Sequence, residues 1–252
     1  MALLARALVR KMRGGAQAHL VEASDGHFYV VKFKNNPQHR RILINEWIAG
    51  VLLDYLQILT PARAFIQFDE NFLQRFPEAG IQLGKQQQPP EPGRHFGSRY
   101  PGHPERLAVY DFLPDVLLMR VANVDHFLGI LVFDKWVANA DSRQAIFFRA
   151  RLRDWINDVD PPEQISLVAQ MIDHGYAFGG PQWRFQDSPL AGLYPRFVVY
   201  ESVRGWADFE PWLERIRCFP EWVLDEAYRQ IPGEWLEEGE EEELEHLLEQ
   251  LL

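Results

Sequence analysis

Between residues 18 and 34 two apolar-rich runs, "AHLVEA" and "HFYVVKFK", close around the pair Asp25-Gly26. Asp-Gly between strand-like runs is a strong hairpin signal, because the tight turn needs residues that tolerate a positive φ. Upstream, "ALLARALVRKM" reads as another strand and runs into Gly14-Gly15, so residues 1–34 are expected to be β structure. A polar break, "NNPQHR", follows, and the period then changes. Leu43, Trp47, Val51, Leu52 and Tyr55 fall on one stripe of a helix, and "TPARAFIQFD" returns to strand character.

Residues 79–107 are dense in Gly, Pro and Gln and are expected to form a long mobile loop, which inside a domain is either functional or a linker. "LAVYDFLP" is a short strand ended by Pro114. From about residue 116 helices dominate. "VDHFLGILVFDKWVA" aligns Phe127, Leu128, Leu131, Val132 and Trp136 on one face, and "EPWLERIRCF" and "EWVLDEAYRQI" are helical. Between them "AIFFRARL" and "ISLVAQMID" read as strands joined by the polar link 153–164. The order predicts an α+β chain with a cleft between two lobes. Its parts are a β-rich N-lobe with hinge over 1–114, a mainly helical C-lobe with a small β insertion over 115–233, and an acidic tail over 234–252.

The formal charge of −10 is unevenly held, since nine acidic residues and no Lys or Arg follow from Glu234. The body is therefore close to neutral, without the basic patch or stripe that a nucleic-acid interface needs. The tail reads either as a solvated acidic end or as a short amphipathic helix. In the second case Leu244, Leu247, Leu248, Leu251 and Leu252 would dock on the chain or bind a protein partner. No run approaches the ~18 apolar residues of a membrane span. "MALLARALVRKM" is too short to make a signal peptide, and the single Cys218 excludes an intrachain disulfide and a multi-Cys zinc site, so a cytoplasmic location is expected. Cys218 itself reads as structural. No H-E-x-x-H, H-x₃-H or G-x-S-x-G pattern occurs, and His174 reads as a turn side chain.

Four ionic residues stand out: Lys32 in "VVKFK", Glu46 in "INEW", Asp141 in "NADSRQ" and Asp173 in "MIDHG". Each has a bland explanation alone: a solvated strand Lys, a surface Glu, a capping Asp, a turn Asp. Their order is the one phosphoryl transfer needs. A cation holds nucleotide phosphates, a carboxylate holds that cation, a second carboxylate takes the acceptor's proton, and a third holds magnesium.

"VVKF", "NEWIAGVLL", "DKWVANADSRQ" and "MIDHG" together resemble the HipA-like kinases, whose motifs share a distant plan with protein kinases and phosphoinositide kinases. The resemblance covers roughly residues 10–180 and extends toward "VYESV". It implies a bilobal protein-kinase-like fold that uses ATP and Mg²⁺. It implies further that Lys32 binds the phosphates, that Glu46 pairs with Lys32, that Asp141 is the base and that Asp173 binds the metal. Gly14-Gly15 falls where a phosphate-covering turn belongs, and backbone around Tyr110 to Phe112 falls at the hinge, where adenine is met. One position departs from the pattern. The metal-binding Asn of protein kinases lies five residues after the base, and here that residue is Ile146. Asn139 and Gln144 are the nearby amides that could substitute, and Arg143 is a candidate phosphate contact. The expected acceptor is a Ser or Thr hydroxyl of a protein, or the chain itself through Ser98 or Tyr100. A nucleotide-binding pseudokinase that acts as a scaffold and a small-molecule or lipid-headgroup kinase remain alternatives.

Overall fold

Asp25-Gly26 makes the turn that its residue types predict. Gly26 holds φ 78°, and the Asp25 carboxylate accepts from the His27 N–H at 3.0 Å and the Tyr29 hydroxyl at 2.8 Å. The computed structural model describes residues 1–156, 161, 163–186 and 188–252. Part of the link predicted over 153–164, residues 157–160 and 162, lies outside the described residues.

The chain begins with β1 (Leu3–Lys11), β2 (His19–Ala23), β3 (Phe28–Lys32), α1 (Arg41–Tyr55), β4 (Arg63–Phe68) and α2 (Glu70–Arg75). Then come β5 (Ile81–Leu83), β6 (Gln86–Gln88), β7 (Gly93–Arg99) and β8 (Val109–Tyr110). After α3 (Asp115–Leu118) and α4 (His126–Trp136) the chain forms β9 (Gln144–Arg151) and β10 (Ile165–Ile172). It finishes with α5 (Trp212–Arg217), α6 (Trp222–Gln230) and α7 (Glu240–Glu249).

Five strands close into a barrel in the order β1-β2-β3-β7-β4, with β1 returning parallel to β4. Alternation divides β3: Val31 and the following Phe33 enter the barrel core with Val21, Ile66 and Phe68, while Lys32 faces the other way. Inside sits His95, fully buried and packed edge-on against Phe33 and Phe68. Its Nδ1 accepts from the Lys34 N–H at 3.1 Å and its Nε2 meets the Glu91 carbonyl at 2.9 Å, which fixes a neutral ring. Burial lowers its pKa to about 3.

Two expectations fail over 79–107. This stretch is not a mobile loop. It holds the β5–β6 hairpin and then β7, a barrel strand paired on both sides, with Lys32 opposite Phe96 and Phe65 opposite Phe96 on the other edge. Its glycines misled because one of them is a packing device: a Cβ on Gly97 would sit 2.5 Å from Ile66 Cγ1. Ser98 is therefore a ladder residue and Tyr100 is buried, so neither is a loop hydroxyl offered for self-phosphorylation.

Helix α1 is apolar almost all round and buried accordingly, with Leu43, Ile44, Ile48 and Leu52 in the main core beside Phe127, Phe133, Phe147 and Met171. Asn45 and Glu46 are its buried polar exceptions, so Glu46 is not a surface residue. The β9–β10 pair is antiparallel, with β8 on its edge.

The acidic tail is neither a solvated end nor a free partner-binding face. Leu244, Leu247, Leu248 and Leu251 of α7 are buried in the main core of this same chain. Trp235 is fully buried, edges Trp47 and Phe65, and donates Nε1–H to the Arg94 carbonyl at 2.8 Å. Arg41, at the start of α1, then grips α7 through Glu240 at 2.5 Å and Glu243 at 2.6 Å. Cys218, at the end of α5, is exposed and not part of a core.

His95 gives this fold a defined acid sensitivity. Above the ordinary histidine pKa of 6.5 neither state binds the proton. Below it the unfolded chain takes a proton that the folded chain refuses until about pH 3. Stability is thus whole above 6.5 and falls as pH falls, at about 1.4 kcal/mol per pH unit for one such group. In urea titrations between about pH 6 and pH 4, His95→Gln should flatten the slope by about that amount. Equal slopes would contradict a neutral buried ring.

Candidate active site

A cleft of about 380 Å³ lies between the barrel and the β9–β10 pair. Its walls are built from ends of elements: β3 brings Lys32, α1 brings Glu46, the segment after α4 brings Asp141, the start of β9 brings Gln144 and the end of β10 brings Asp173.

Lys32 is the junction. Its Nζ donates to Glu46 Oε1 at 2.5 Å and to Asp173 Oδ1 at 2.6 Å, and the residue is 9% exposed. Burial alone would lower the amine's pKa, but Glu46 and Asp173 outweigh that and raise it above the ordinary lysine value. The Lys32 ammonium, in turn, holds Asp173 below the ordinary carboxylate range. Glu46 is pushed up by burial, against the pull of Lys32 and of the His174 N–H. One side chain thereby ties β3, α1 and the end of β10 together.

Asp173 has a positive φ of 60°, an uncommon backbone for a residue with a side chain, and its Oδ2 accepts from Gln144 Nε2 at 3.1 Å. The next residues must pass close to α1. A Cβ on Gly175 would lie 2.5 Å from Ile42 Cγ2, so glycine is required where this segment crosses the helix. Asn45 then holds the segment down. Its Nδ2 donates to the carbonyls of Gly175, Ala177 and Gly180 at 2.8, 3.1 and 3.1 Å, and its Oδ1 accepts from Trp183 Nε1 at 2.8 Å.

The polar cluster at 139–144 has two layers. Asp141 is exposed at the cleft, with Oδ1 accepting from the Ser142 N–H at 2.7 Å. Asn139 is buried, takes the Asp141 N–H on Oδ1 at 3.1 Å, and donates to Asp134 Oδ1 at 2.9 Å. It positions the loop and does not reach the cleft, whereas Gln144 does. Arg143 is not a phosphate contact. It is 1% exposed, and its Nε donates to Asp134 Oδ2 at 2.8 Å while Nη2 meets Asp134 Oδ1. Its Nη1 donates to the Ile172 carbonyl and to His174 Nδ1, at 2.8 and 2.9 Å.

His174 is thus no turn side chain. With Nδ1 accepting from Arg143, its Nε2 donates to Thr60 Oγ1 at 2.9 Å, and Thr60 donates to the Met171 carbonyl at 3.1 Å. Burial and the Arg143 charge keep this ring neutral, well below the ordinary histidine pKa. Asp134 was missed by the sequence reading, although an acid between Phe133 and Lys135 in a strongly apolar helix was a signal; Asn45 offered the same signal in α1.

Gly14-Gly15 lies at the cleft mouth, and Gly14 adopts φ 123°. The stretch from Tyr110 to Phe112 reaches the cleft through Asp111, between two exposed aromatic side chains. Tyr110 and Phe112 are 47% and 58% exposed, and Phe112 lies under the Arg196 guanidinium at 4.5 Å. Their alternates Val109 and Asp111 line the cleft, as do Arg99, Tyr100 and Pro101 where β7 leaves the barrel. Ile146 lies in the cleft wall as well. Among the described residues no group of three or more His, Cys, Asp or Glu forms a metal cluster. Asp173 and Asp141 bring carboxylate oxygens to the cleft, the donor chemistry Mg²⁺ prefers, while Gln144 turns its Nε2 toward Asp173 Oδ2. No helix among the described residues is long and apolar enough to cross a membrane.

A family model described as HipA-like kinase matches residues 5–180. No curated protein sequence matches the chain. Among solved structures, the Golgi casein kinase with Mn/ADP bound is similar in fold, with a TM-score of 0.53 at 11% identity, over 99% of this chain and 72% of that one. A second structure of the Golgi casein kinase gives 0.46 at 12% identity, over 99% and 70%.

The buried pair makes a sharp prediction. Arg143→Ala strands the Asp134 carboxylate in the core and should cost about 3–5 kcal/mol in urea unfolding, whereas an apolar pair, Asp134→Leu with Arg143→Met, should cost far less. Additive losses in the double variant would contradict the coupling.

Proposed function

This chain belongs to the HipA-like kinase family, and on that premise we propose that it is an ATP- and magnesium-dependent phosphotransferase acting on a Ser or Thr hydroxyl of a protein. The barrel and the helical part act as two lobes around the cleft. The single observation that carries the reading is the Lys32 ammonium held at 2.5 Å by Glu46 and at 2.6 Å by Asp173, in a cleft that Asp141 also lines.

In this reading each residue does what its surroundings allow. Lys32 is locked in the charged form and presents its ammonium to phosphate oxygens. Asp141, exposed and backed by Asn139, takes the proton of the acceptor hydroxyl as that oxygen bonds to the γ-phosphorus and the bond to the departing diphosphate breaks. Asp173 and Gln144 would hold the metal. When bound, magnesium neutralises charge on the phosphates. The lone exposed Cys218 suits a reducing compartment such as the cytoplasm.

Ile146 favours a second reading. An apolar side chain in the cleft wall at the metal-Asn position fits a pseudokinase that binds nucleotide and signals by contact. Thermal shift and phosphate transfer separate the two. Saturating Mg-ATP, at 100 times its dissociation constant, should add about 2.7 kcal/mol of stability. Asp141→Ala should keep that shift and lose roughly 10²–10⁴-fold in transfer rate, while Lys32→Ala should weaken the shift. Unchanged turnover in the Asp141 variant would refute its role as base, and a shift with no transfer to any acceptor would favour the pseudokinase.

A further inference from the structure

The charges lining the cleft do not balance for the ligand proposed above. Around the junction, one cation, Lys32, faces the carboxylates of Glu46, Asp173 and Asp141. Lys32 already serves two of them. A triphosphate brought there adds several negative charges, so one metal ion and an overmatched ammonium leave a large deficit of positive charge.

Among the described residues four other cations line the cleft, and two of them already have a side-chain partner. Arg63 pairs with Asp54 at 2.8 Å through Nη2 alone, its Nε and Nη1 being buried in the cleft wall without a hydrogen-bond partner, and Arg99 donates to His27 at 2.9 Å. The side chains of Arg10 and Arg13 line the same cleft and make no hydrogen bond or ion pair among the described residues. They sit just before the Gly14-Gly15 turn, on a stretch where a Cβ at Gly14 would meet nothing within 4 Å.

That stretch is held in place from behind. Lys11 Nζ donates to the Gly80 carbonyl at 2.5 Å. Gln17 Nε2 donates to the Gln82 carbonyl at 2.8 Å, and its Oε1 accepts from the Gln82 N–H at 2.7 Å. His19 Nε2 meets the Ala79 carbonyl at 2.8 Å. The turn is therefore pinned to the β5–β6 hairpin on its outer side while two uncommitted guanidiniums remain on its cleft side. A pinned platform lowers the ordering cost of binding, and a guanidinium presents paired N–H donors that match phosphate oxygens.

We propose that Arg10 and Arg13 form a clamp for the outer phosphates of a nucleoside triphosphate, supplying the counter-charge that the glycine-poor turn and Lys32 do not. The proposal rests on the nucleotide-binding reading of the cleft and adds to it a preference: the site discriminates by phosphate number through residues 10 and 13. The clamp acts on binding at the mouth of the cleft and takes no part in proton transfer.

The test compares the affinities of the full chain for ATP and for AMP, each with magnesium, measured by thermal shift and isothermal titration. Arg10→Ala with Arg13→Ala should weaken ATP roughly tenfold or more, leave AMP within a factor of about two, and retain the melting temperature of the unliganded chain, since both side chains are exposed. Arg13→Lys should recover part of the loss, and raising salt should weaken ATP more in the wild type than in the double variant. ATP affinity unchanged in the double variant overturns the clamp while leaving the nucleotide site intact. Equal weakening of ATP and AMP overturns it too, by pointing to a distorted turn. So does a change confined to the Michaelis constant of a protein acceptor, which would assign the arginines to the acceptor. No binding of either nucleotide to the wild type removes the cleft reading itself and the clamp with it.

Discussion

Three separate elements of this fold converge on one ammonium group. Lys32 leaves a barrel strand, meets Glu46 from a helix and Asp173 from a second sheet, and is nearly shielded from water while doing so. Bringing such charges out of water costs several kcal/mol per ion, and their mutual attraction only offsets this when the geometry is tight. The interaction is thus a weak source of stability and a strong source of register. A one-residue slip of β3 would turn Lys32 into the barrel core and bring Val31 or Phe33 to the cleft. The arrangement therefore selects one alignment of barrel, helix and sheet, and that alignment is the site.

A second polar line supports the first from below. It runs from Asp134 through Arg143 and a neutral His174 to Thr60 and the Met171 carbonyl, with Asn139 as a side branch to the Asp141 loop. Every member passes its hydrogen bond onward, which is the condition under which a buried polar network rigidifies what surrounds it. Arg143 spans the network between two loops, one bearing Asp141 and the other bearing Asp173. The distance between the two cleft carboxylates is therefore governed by a side chain that never reaches the cleft.

Much of this was legible in the sequence because it is written locally or in the order of the chain. The turn at Asp25-Gly26 and the stripe of α1 announce themselves within a few residues, whereas Lys32, Glu46, Asp141 and Asp173 look ordinary singly and stand out only through their order along the chain. What was not legible depends on partners far away. β7 looks like a loop because Gly93 and Gly97 are poor strand formers, yet Gly97 is required by Ile66 packing across the ladder, a fact held by a different strand. Arg143 looks like a phosphate ligand because arginines near a catalytic loop often are. Its burial goes with the pair it makes with Asp134, nine residues back on α4. The tail's leucines showed their periodicity in the sequence, but the surface that receives them is assembled from α1, α6 and Trp235. Around Tyr110 and Phe112 the two aromatic side chains are exposed, while Val109 and Asp111 beside them join the end of β7 in lining the cleft, a division that only the pairing of β8 with β9 decides.

The grip of Arg41 on Glu240 joins residues 199 positions apart, at the first turn of the helix that carries Glu46. During synthesis the ribosome delivers the barrel strands and α1 long before that counterweight exists. The barrel can form its ladders as it emerges, but α1 gains its full ionic tether, and the leucine seam behind it, only once residues around 250 have cleared the exit tunnel. The last elements to be made therefore close the cover over one of the first, so the apolar helix is sealed late rather than early in the order of synthesis.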